Sequence, residues 1–355
     1  MVSSAPSPPG GAGAALPATT RGSVLLEPGR LSVREWPTPS PGRGQVLVQV
    51  GSVGVCGSDV HYYRHGRVGE FVVEQPLVLG HEAGGAVVAT GPDVDPQRLG
   101  QRVVLEPGVG CRRCQQCKTG RYHLCPDMRF FATPPVDGAF CEHVAVDADF
   151  AHPVPDELSD DAAGLIEPLS VALWACRKAE VGAGARLLVS GAGPIGVLVL
   201  QVARALGATA VVVGEPAEAR RATAERFGAT ASFNPVEDEP GEHGPFDVFV
   251  DCSGVSSAIG AGIRALRPGG AAVLVGMGAD EITLPMSMLQ TREITVTGTF
   301  RYANTWPAAI ALAASGRVDL DALVTGRFDL ERVSDALEAS TDAGSIKPVV
   351  RPGGV

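Results

Sequence analysis

One short run of sequence, "LLVSGAGPIGVLVL" at residues 187–200, most constrains how this chain can fold. A strand-like segment leads through Gly191, Gly193 and Gly196 into a helix that opens at Pro194. The first glycine permits a tight turn, the second lets backbone approach a pyrophosphate, and the third lets the helix pack closely on the strand. The helix amino terminus then faces the negative phosphates. The pattern predicts a dinucleotide-binding unit.

The next strand ends at Glu215, 19 residues after Gly196, where an acid can bind the adenosine ribose hydroxyls. A carboxylate at this position would repel a 2′-phosphate, so NAD is favoured over NADP. The nearby Arg220 and Arg221 weaken this preference, because an arginine can accept that phosphate. Both arginines also fit a solvated helix face, and the sequence leaves the choice open.

Strand-like and helical runs alternate from 168 to 299, which is typical of a parallel sheet wound with helices. In the preceding segment, the stretch from Gly22 to Pro155 has the pattern of short strands broken by Gly and Pro. The last segment, 300–355, carries a helical stretch at Pro307–Ser315 and a closing strand, "SIKPVVRP". We therefore predict an α/β protein in which a β-rich domain, 22–167 with 300–355, contains an inserted domain at 168–299. Residues 1–21, rich in Pro, Gly, Ala and Ser, predict a disordered tail.

Composition limits the partners. The chain has 355 residues, of which 45% are hydrophobic, enough for two domains. Its net charge of -10 argues against nucleic acid or an anionic membrane as a partner. No apolar run approaches the ~18 residues of a membrane span, and the amino terminus does not have the pattern of a signal peptide. Eight cysteines then indicate metal ligands and core thiols in the cytosol.

Four of these cysteines lie in "CRRCQQCKTGRYHLC", at the spacing C-x₂-C-x₂-C-x₇-C. Unrelated thiols would not fall at such regular intervals in a polar loop. Four thiolates fill the tetrahedral shell of zinc and leave no position for water or substrate. The pattern therefore predicts a structural zinc site, whose ligands are Cys111, Cys114, Cys117 and Cys125.

A catalytic metal needs an open site with mixed ligands. Two segments offer them: "GVCGSDVHYY" supplies Cys56, with Ser58 and His61 close behind, and "VLGHEAGGAVV" supplies His81 and Glu82. A lone His or Cys in such a context is more often a core residue. Their coincidence with a dinucleotide-binding pattern favours the metal.

The same segments carry a family resemblance. "CGSDVHYY", "PLVLGHEAGG", "GRYHLCPDM", "FFATPPVDGAF", "EPLSVALWACR", "GAGPIG" and "FRYANTWP" resemble the zinc-dependent medium-chain dehydrogenases. Within that family the chain resembles the polyol branch, of the sorbitol (L-iditol) and xylitol dehydrogenase type. The resemblance extends from Gly22 to Pro352. It implies a GroES-like β-rich catalytic domain and an inserted Rossmann domain, with the active site in the cleft between them.

The resemblance also assigns the metal ligands. It implies that Cys56, His81 and Glu82 bind the catalytic zinc with water completing the shell, and that Glu167 lies beside the metal or enters its shell. Carboxylates in place of a second cysteine make the metal harder and suit oxygen-rich substrates. Members of the sorbitol branch often lack the full set of structural cysteines, which this chain retains.

Further roles follow from the resemblance alone. Zinc lowers the pKa of the substrate hydroxyl, Ser58 takes its proton, His61 passes that proton to solvent, and NAD accepts the hydride. Glu167 is also a catalytic candidate. The residues implied to line the polyol pocket are Tyr62, Phe130, Glu167, Arg301 and Tyr302. Those implied to bind the cofactor are Gly191, Gly193, Ile195, Gly196, Glu215, Arg220, Val275, Gly276, Met277, Thr299, Phe300 and Arg301.

The expected activity is NAD-dependent, zinc-dependent interconversion of a sugar alcohol and its ketose, in a homo-oligomer of two or four chains. A threonine or butanediol dehydrogenase is the alternative within the same enzyme class. A catalytically inactive nucleotide-binding relative is a third possibility. It is disfavoured because the residues of the open zinc site are all present: Cys56, Ser58, His81, Glu82 and Glu167.

Overall fold

The computed structural model describes residues 16–354. Of the predicted tail at 1–21, residues 1–15 lie outside the described ones, and the prediction is wrong for its last three. Thr19–Arg21 begin the first strand, where Thr20 is buried and its hydroxyl lies 3.1 Å from Nδ1 of His143. This contact across 123 residues and the pairing of Thr19–Arg21 with the next strand order a segment whose composition gave no sign of order.

The amino-terminal part is built mainly of short strands, as its Gly and Pro breaks predict. Its strands are β1 (Thr19–Glu27), β2 (Arg30–Pro37), β3 (Gln45–Gly54), β4 (Arg67–Val68), β5 (Phe71–Val72), β6 (Leu77–Val78), β7 (Glu82–Thr90), β8 (Arg102–Leu105), β9 (Gly108–Val109), β10 (Arg129–Phe130), β11 (His143–Asp147) and β12 (Ala151–Pro153). Its helices are α1 (Gly57–His65), α2 (Gln115–Lys118), α3 (Asp160–Gly164) and α4 (Ile166–Lys178).

The middle of the chain forms a parallel sheet of six strands in the order β15-β14-β13-β16-β17-β18. Its elements are β13 (Arg186–Ser190), α5 (Pro194–Ala205), β14 (Ala210–Gly214), α6 (Glu218–Arg226), β15 (Ala231–Phe233), β16 (Phe246–Asp251), α7 (Ser256–Arg264), β17 (Leu266–Leu274), α8 (Met286–Thr291) and β18 (Thr295–Gly298). Helix α5 begins at Pro194, as predicted. The predicted α/β class with a wound parallel sheet is confirmed.

The chain then returns to the first part. Its last elements are α9 (Trp306–Ala314), β19 (Val324–Asp329), α10 (Val333–Ala339) and β20 (Lys347–Arg351). Strand β20 pairs antiparallel with β3 and parallel with β19, so a strand from the carboxyl end lies inside the seven-stranded sheet of the amino-terminal part. The domain boundaries at 168 and 299 stay a prediction.

Helix α4 lies where these parts meet. It packs against α5 and α9, and its buried side chains share one apolar core with β13 and β14. The first turn of α4 carries Glu167, which is buried. None of the helices described between residues 16 and 354 combines the length and apolarity needed to cross a membrane.

Candidate active site

Three side chains with metal-binding atoms meet at the end of β3 and the start of β7. Cys56 caps the amino terminus of α1, His81 immediately precedes β7 and Glu82 begins it, and their ligand atoms all lie within 4.8 Å of one another. The buried Asp59 carboxylate joins the two segments, because it accepts the N–H of Cys56 at 3.0 Å and that of Gly80 at 2.9 Å. The fold thus fixes the thiol and the imidazole relative to each other.

The donor set suits zinc. Zinc takes thiolate, imidazole and carboxylate ligands, and three protein donors leave a tetrahedral position open. Burial alone would lower the pKa of His81, yet Asp59 and Cys56 raise it well above its ordinary value. The surroundings therefore favour a positive charge at this point. The residues fit the predicted catalytic zinc, and their roles as ligands remain a prediction.

Glu82 also contacts a lysine from the far end of the chain. The Lys347 ammonium donates to both carboxylate oxygens of Glu82, at 2.8 and 2.9 Å, and to the carbonyl of Val55 at 2.9 Å. Burial alone would lower the pKa of Lys347, and the charge of Glu82 raises it above its ordinary value. We did not predict Lys347 from the sequence. A lone lysine inside the strand-like run "SIKPVVRP" was the available signal.

Glu167 lies near this group but outside the three whose atoms fall within 4.8 Å. Its carboxylate accepts the hydroxyl of Tyr302 at 2.7 Å, and both side chains are buried. Burial raises the pKa of Glu167 to about 7, against the opposing charge of His81. The predicted substrate residue and the predicted metal neighbour are therefore one hydrogen-bonded pair.

The other predicted pocket residues converge on the same place. The Phe130 ring lies 5.7 Å from the His81 ring, and the Arg301 guanidinium carbon lies 4.2 Å from the Phe130 ring centre. Tyr62 is buried on α1, and its pKa is raised by burial. The two predicted proton carriers lie on the same helix: Ser58 is half-buried, and His61, one turn later, is exposed.

The structure also brings the four cysteines of the polar loop together. The sulfurs of Cys111, Cys114, Cys117 and Cys125 lie within 4.8 Å of one another. Backbone N–H groups donate to three of these sulfurs at 3.2–3.4 Å. Such bonds to Cys111 lower the pKa of its thiol to about 7, while burial raises the pKa of Cys117 to about 12. A closed set of four sulfurs fits the predicted structural zinc.

The glycine turn has the geometry that the cofactor requires. Gly191 has a φ of +92°, which favours glycine. A Cβ on Gly196 would lie 1.9 Å from the Gly191 carbonyl oxygen, whereas a Cβ on Gly193 would meet nothing within 4 Å. Gly193 instead faces a cavity of about 580 Å³, which Glu215 and Arg220 also line. The residues fit a pyrophosphate at the turn and an adenosine beyond it.

The two arginines considered for the cofactor, Arg220 and Arg221, have different surroundings. Arg221 donates to the carbonyls of Glu215 and Pro216, at 2.8 and 2.6 Å, so it holds the backbone. Arg220 lines the cavity, and its buried Nε has no hydrogen-bond partner among the described residues. The Glu215 carboxylate accepts two backbone N–H groups, from Ala192 at 2.9 Å and Ala217 at 3.0 Å. Glu215 therefore shapes the turn as well as facing the cavity.

The remaining cofactor candidates lie at the carboxyl edge of the parallel sheet, where such sheets bind ligands. Ile195 is half-buried in the first turn of α5. Val275 and Gly276 follow β17 and donate to the Asp251 carbonyl at 2.9 and 3.0 Å. The others are Met277, which is exposed, and Thr299 and Phe300, which follow β18.

Comparisons with known proteins agree on one family. Residues 42–156 match the alcohol dehydrogenase GroES-like domain, and residues 194–315 match the zinc-binding dehydrogenase domain. Sorbitol dehydrogenase of Gallus gallus is 42% identical over 337 residues, covering 92% of this chain and 95% of that protein. L-idonate 5-dehydrogenase of Escherichia coli superposes with a TM-score of 0.88 at 31% identity, over 94% of this chain and 98% of the other. 2R,3R-butanediol dehydrogenase of Bacillus subtilis superposes with a TM-score of 0.87 at 30% identity, over 94% of this chain and 99% of the other.

Proposed function

This chain belongs to the polyol branch of the zinc-dependent medium-chain dehydrogenases, and from that premise we propose that it interconverts a sugar alcohol and its ketose with NAD. One observation carries the proposal. A zinc-type donor set stands beside Arg301 and the Tyr302–Glu167 pair, and Tyr302 and Arg301 can both hydrogen-bond the hydroxyls of a polyol. A simple alcohol would need no such partners.

The residues divide the work by position. A zinc ion held by Cys56, His81 and Glu82 would supply acidity to a hydroxyl bound there. Ser58, two residues after Cys56, relays the hydroxyl proton: its oxygen accepts that proton as its own hydrogen leaves toward the exposed His61 and solvent.

Other residues orient the substrate and the cofactor. Arg301 and Tyr302 hold hydroxyls away from the reacting carbon and so orient the substrate. The glycine turn and Glu215 would hold NAD, which would supply the hydride acceptor through the cofactor's own chemistry.

A substrate panel tests the proposal. We expect oxidation of sorbitol or xylitol with NAD to exceed that of L-threonine and 2,3-butanediol, and NADP to serve less well. The butanediol reaction is the second candidate, because a butanediol dehydrogenase superposes over most of this chain. Activity confined to the short diol would overturn the polyol assignment.

We also propose a homo-oligomer, a dimer or a tetramer, that works in the cytosol. Strand β18 is an edge of the six-stranded sheet, and the neighbouring α8 has no buried residue, with Met286 58% exposed. An open strand edge beside an apolar surface suits a second copy. All eight cysteines are free thiols, as in a reducing compartment. Light scattering of the purified protein would measure the oligomer.

A further inference from the structure

Arg301 adopts an unusual backbone conformation. Its φ is +55°, in the left-handed region that a non-glycine side chain rarely takes. Strain of this kind persists where the surroundings hold a residue in place, and it is concentrated at functional sites. The conformation of Arg301 therefore calls for contacts that fix it.

Those contacts are two aromatic rings. The guanidinium carbon of Arg301 lies 4.2 Å from the centre of the Phe130 ring and 4.7 Å from that of the Phe300 ring. Burial lowers the pKa of Arg301, but an arginine stays charged at neutral pH. A desolvated cation that lies over two aromatic rings is attracted by both.

The rings also leave the donors of Arg301 available. Among the described residues, no hydrogen bond or ion pair is made by its guanidinium, and the two rings lie over it. A guanidinium is planar and carries its N–H groups in that plane. Contact with the two rings therefore restricts the position of the guanidinium without using the N–H groups that would bind a ligand.

We infer that Phe300 is a positioning residue for polyol specificity: its ring, together with that of Phe130, holds Arg301 where it binds a hydroxyl remote from the reacting carbon. This inference rests on the proposed function. Phe300 is the better of the two rings to test, because its side chain is 44% exposed while Phe130 is buried beside His81. A change at Phe300 should leave the fold intact.

The test compares Phe300→Leu, which removes the ring, with Phe300→Tyr, which keeps it. For Phe300→Leu we expect kcat/KM on sorbitol to fall roughly tenfold, which equals about 1.4 kcal/mol, mainly through KM. The fall on 2,3-butanediol should be several times smaller, because a short diol does not reach Arg301. Phe300→Tyr should keep the wild-type ratio between the two substrates. Val72→Ala controls for the loss of an apolar side chain of equal exposure, 44%.

Two further measurements distinguish a failure of the Phe300 inference from a failure of the proposed function. Phe300 is also one of the predicted cofactor residues, so NADH binding is followed by fluorescence alongside zinc content, and the inference requires a loss on sorbitol larger than any change in NADH binding. An equal loss on both substrates with weaker NADH binding would show that the ring serves the cofactor, and the inference would be wrong. If the wild-type enzyme oxidised no polyol, the proposed function would be wrong, independently of the activities of the variants.

Discussion

The carboxylate of Glu82 has two roles in the candidate site. It is buried and carries an ion pair with Lys347 through both oxygens, yet it is also one of three candidate zinc ligands. A charge buried without a partner is costly. The Lys347 ammonium is the partner that offsets the buried charge of Glu82.

Space around Glu82 gives the first prediction. A Cβ on Gly54 would lie 2.1 Å from Oε2 of Glu82 and 2.9 Å from a methyl carbon of Leu165. Gly54→Ala should therefore displace the carboxylate and reduce zinc from about two ions per chain to about one. Metal analysis of the purified variant measures this.

The matched control lies in the same strand. A Cβ on Gly51 would meet no atom nearer than 3.7 Å, which is an ordinary contact. Gly51→Ala should keep both ions. Two ions retained in Gly54→Ala would mean that Glu82 is not a ligand or can move without loss.

At the scale of elements, the sequence predicted whatever depends on local pattern. The glycine turn, the start of α5 at Pro194 and the helix near Pro307 follow from spacing within a few residues. The predicted helix at Pro307–Ser315 is α9, one residue earlier at each end. Periodicity and glycine position act locally, so they are legible in one sequence.

The parts that were missed are contacts between elements. The Lys347–Glu82 pair spans 265 residues, and the Thr20–His143 contact spans 123. The pairing of the Phe300 ring with Phe130 across Arg301 is of the same kind. Such partners depend on which strands become neighbours in the folded protein, and a single sequence does not reveal which strands these are.

The cysteine loop gives an element-scale prediction. Cys114 caps the four-residue helix α2, and its sulfur accepts the N–H of Cys117. Cys114→Ser should cost about one zinc ion per chain and lower the melting temperature, because metal binding at a structural site contributes folding energy. Calorimetry and metal analysis measure both effects.

Two comparisons sharpen that experiment. Cys141→Ser alters a buried thiol outside both metal groups and should keep the full zinc content. Cys56→Ser should abolish activity, whereas the folded fraction of Cys114→Ser should retain most of it. Complete inactivity of folded Cys114→Ser would contradict a purely structural role for the loop.

At the scale of the whole molecule, the buried Asp161 on α3 ties the two chain ends together. It accepts the Ser52 hydroxyl on β3, Arg327 on β19 and Arg351 beside it on β20, at 2.7–3.1 Å. Burial alone would raise the pKa of Asp161, but the bonds from Arg351 and Ser52 and the charge of Arg351 hold it below its ordinary value. The charged form of this acid therefore stabilises the joined ends.

The sign of the pH dependence follows. Because the folded pKa is depressed, the contribution of Asp161 is complete above the ordinary value of about 4 and declines as pH falls through the folded pKa. Asp161→Asn should lose about 1–3 kcal/mol of unfolding free energy at pH 7, and its difference from wild type should shrink below about pH 4. Urea unfolding from pH 7 to 3 measures this, with the exposed Asp160→Asn as control. If the difference in unfolding free energy between Asp161→Asn and wild type stayed constant from pH 7 to 3, the charge of Asp161 would not contribute to stability.

Lys347 joins the same two ends at the active site, because β20 carries it from the end of the chain to Glu82 and Val55. Lys347→Met should lower the unfolding free energy of the metal-free protein by about 3–5 kcal/mol, since Glu82 is left buried without a cation. Adding Glu82→Gln should recover part of that loss.

The single variant Lys347→Met also tests the metal site. Zinc should stabilise Lys347→Met more than wild type, because the ion no longer shares Glu82 with an ammonium. Urea unfolding with a chelator and with zinc measures both. Equal zinc-induced shifts in the two proteins would show that Lys347 and the metal do not compete for this carboxylate.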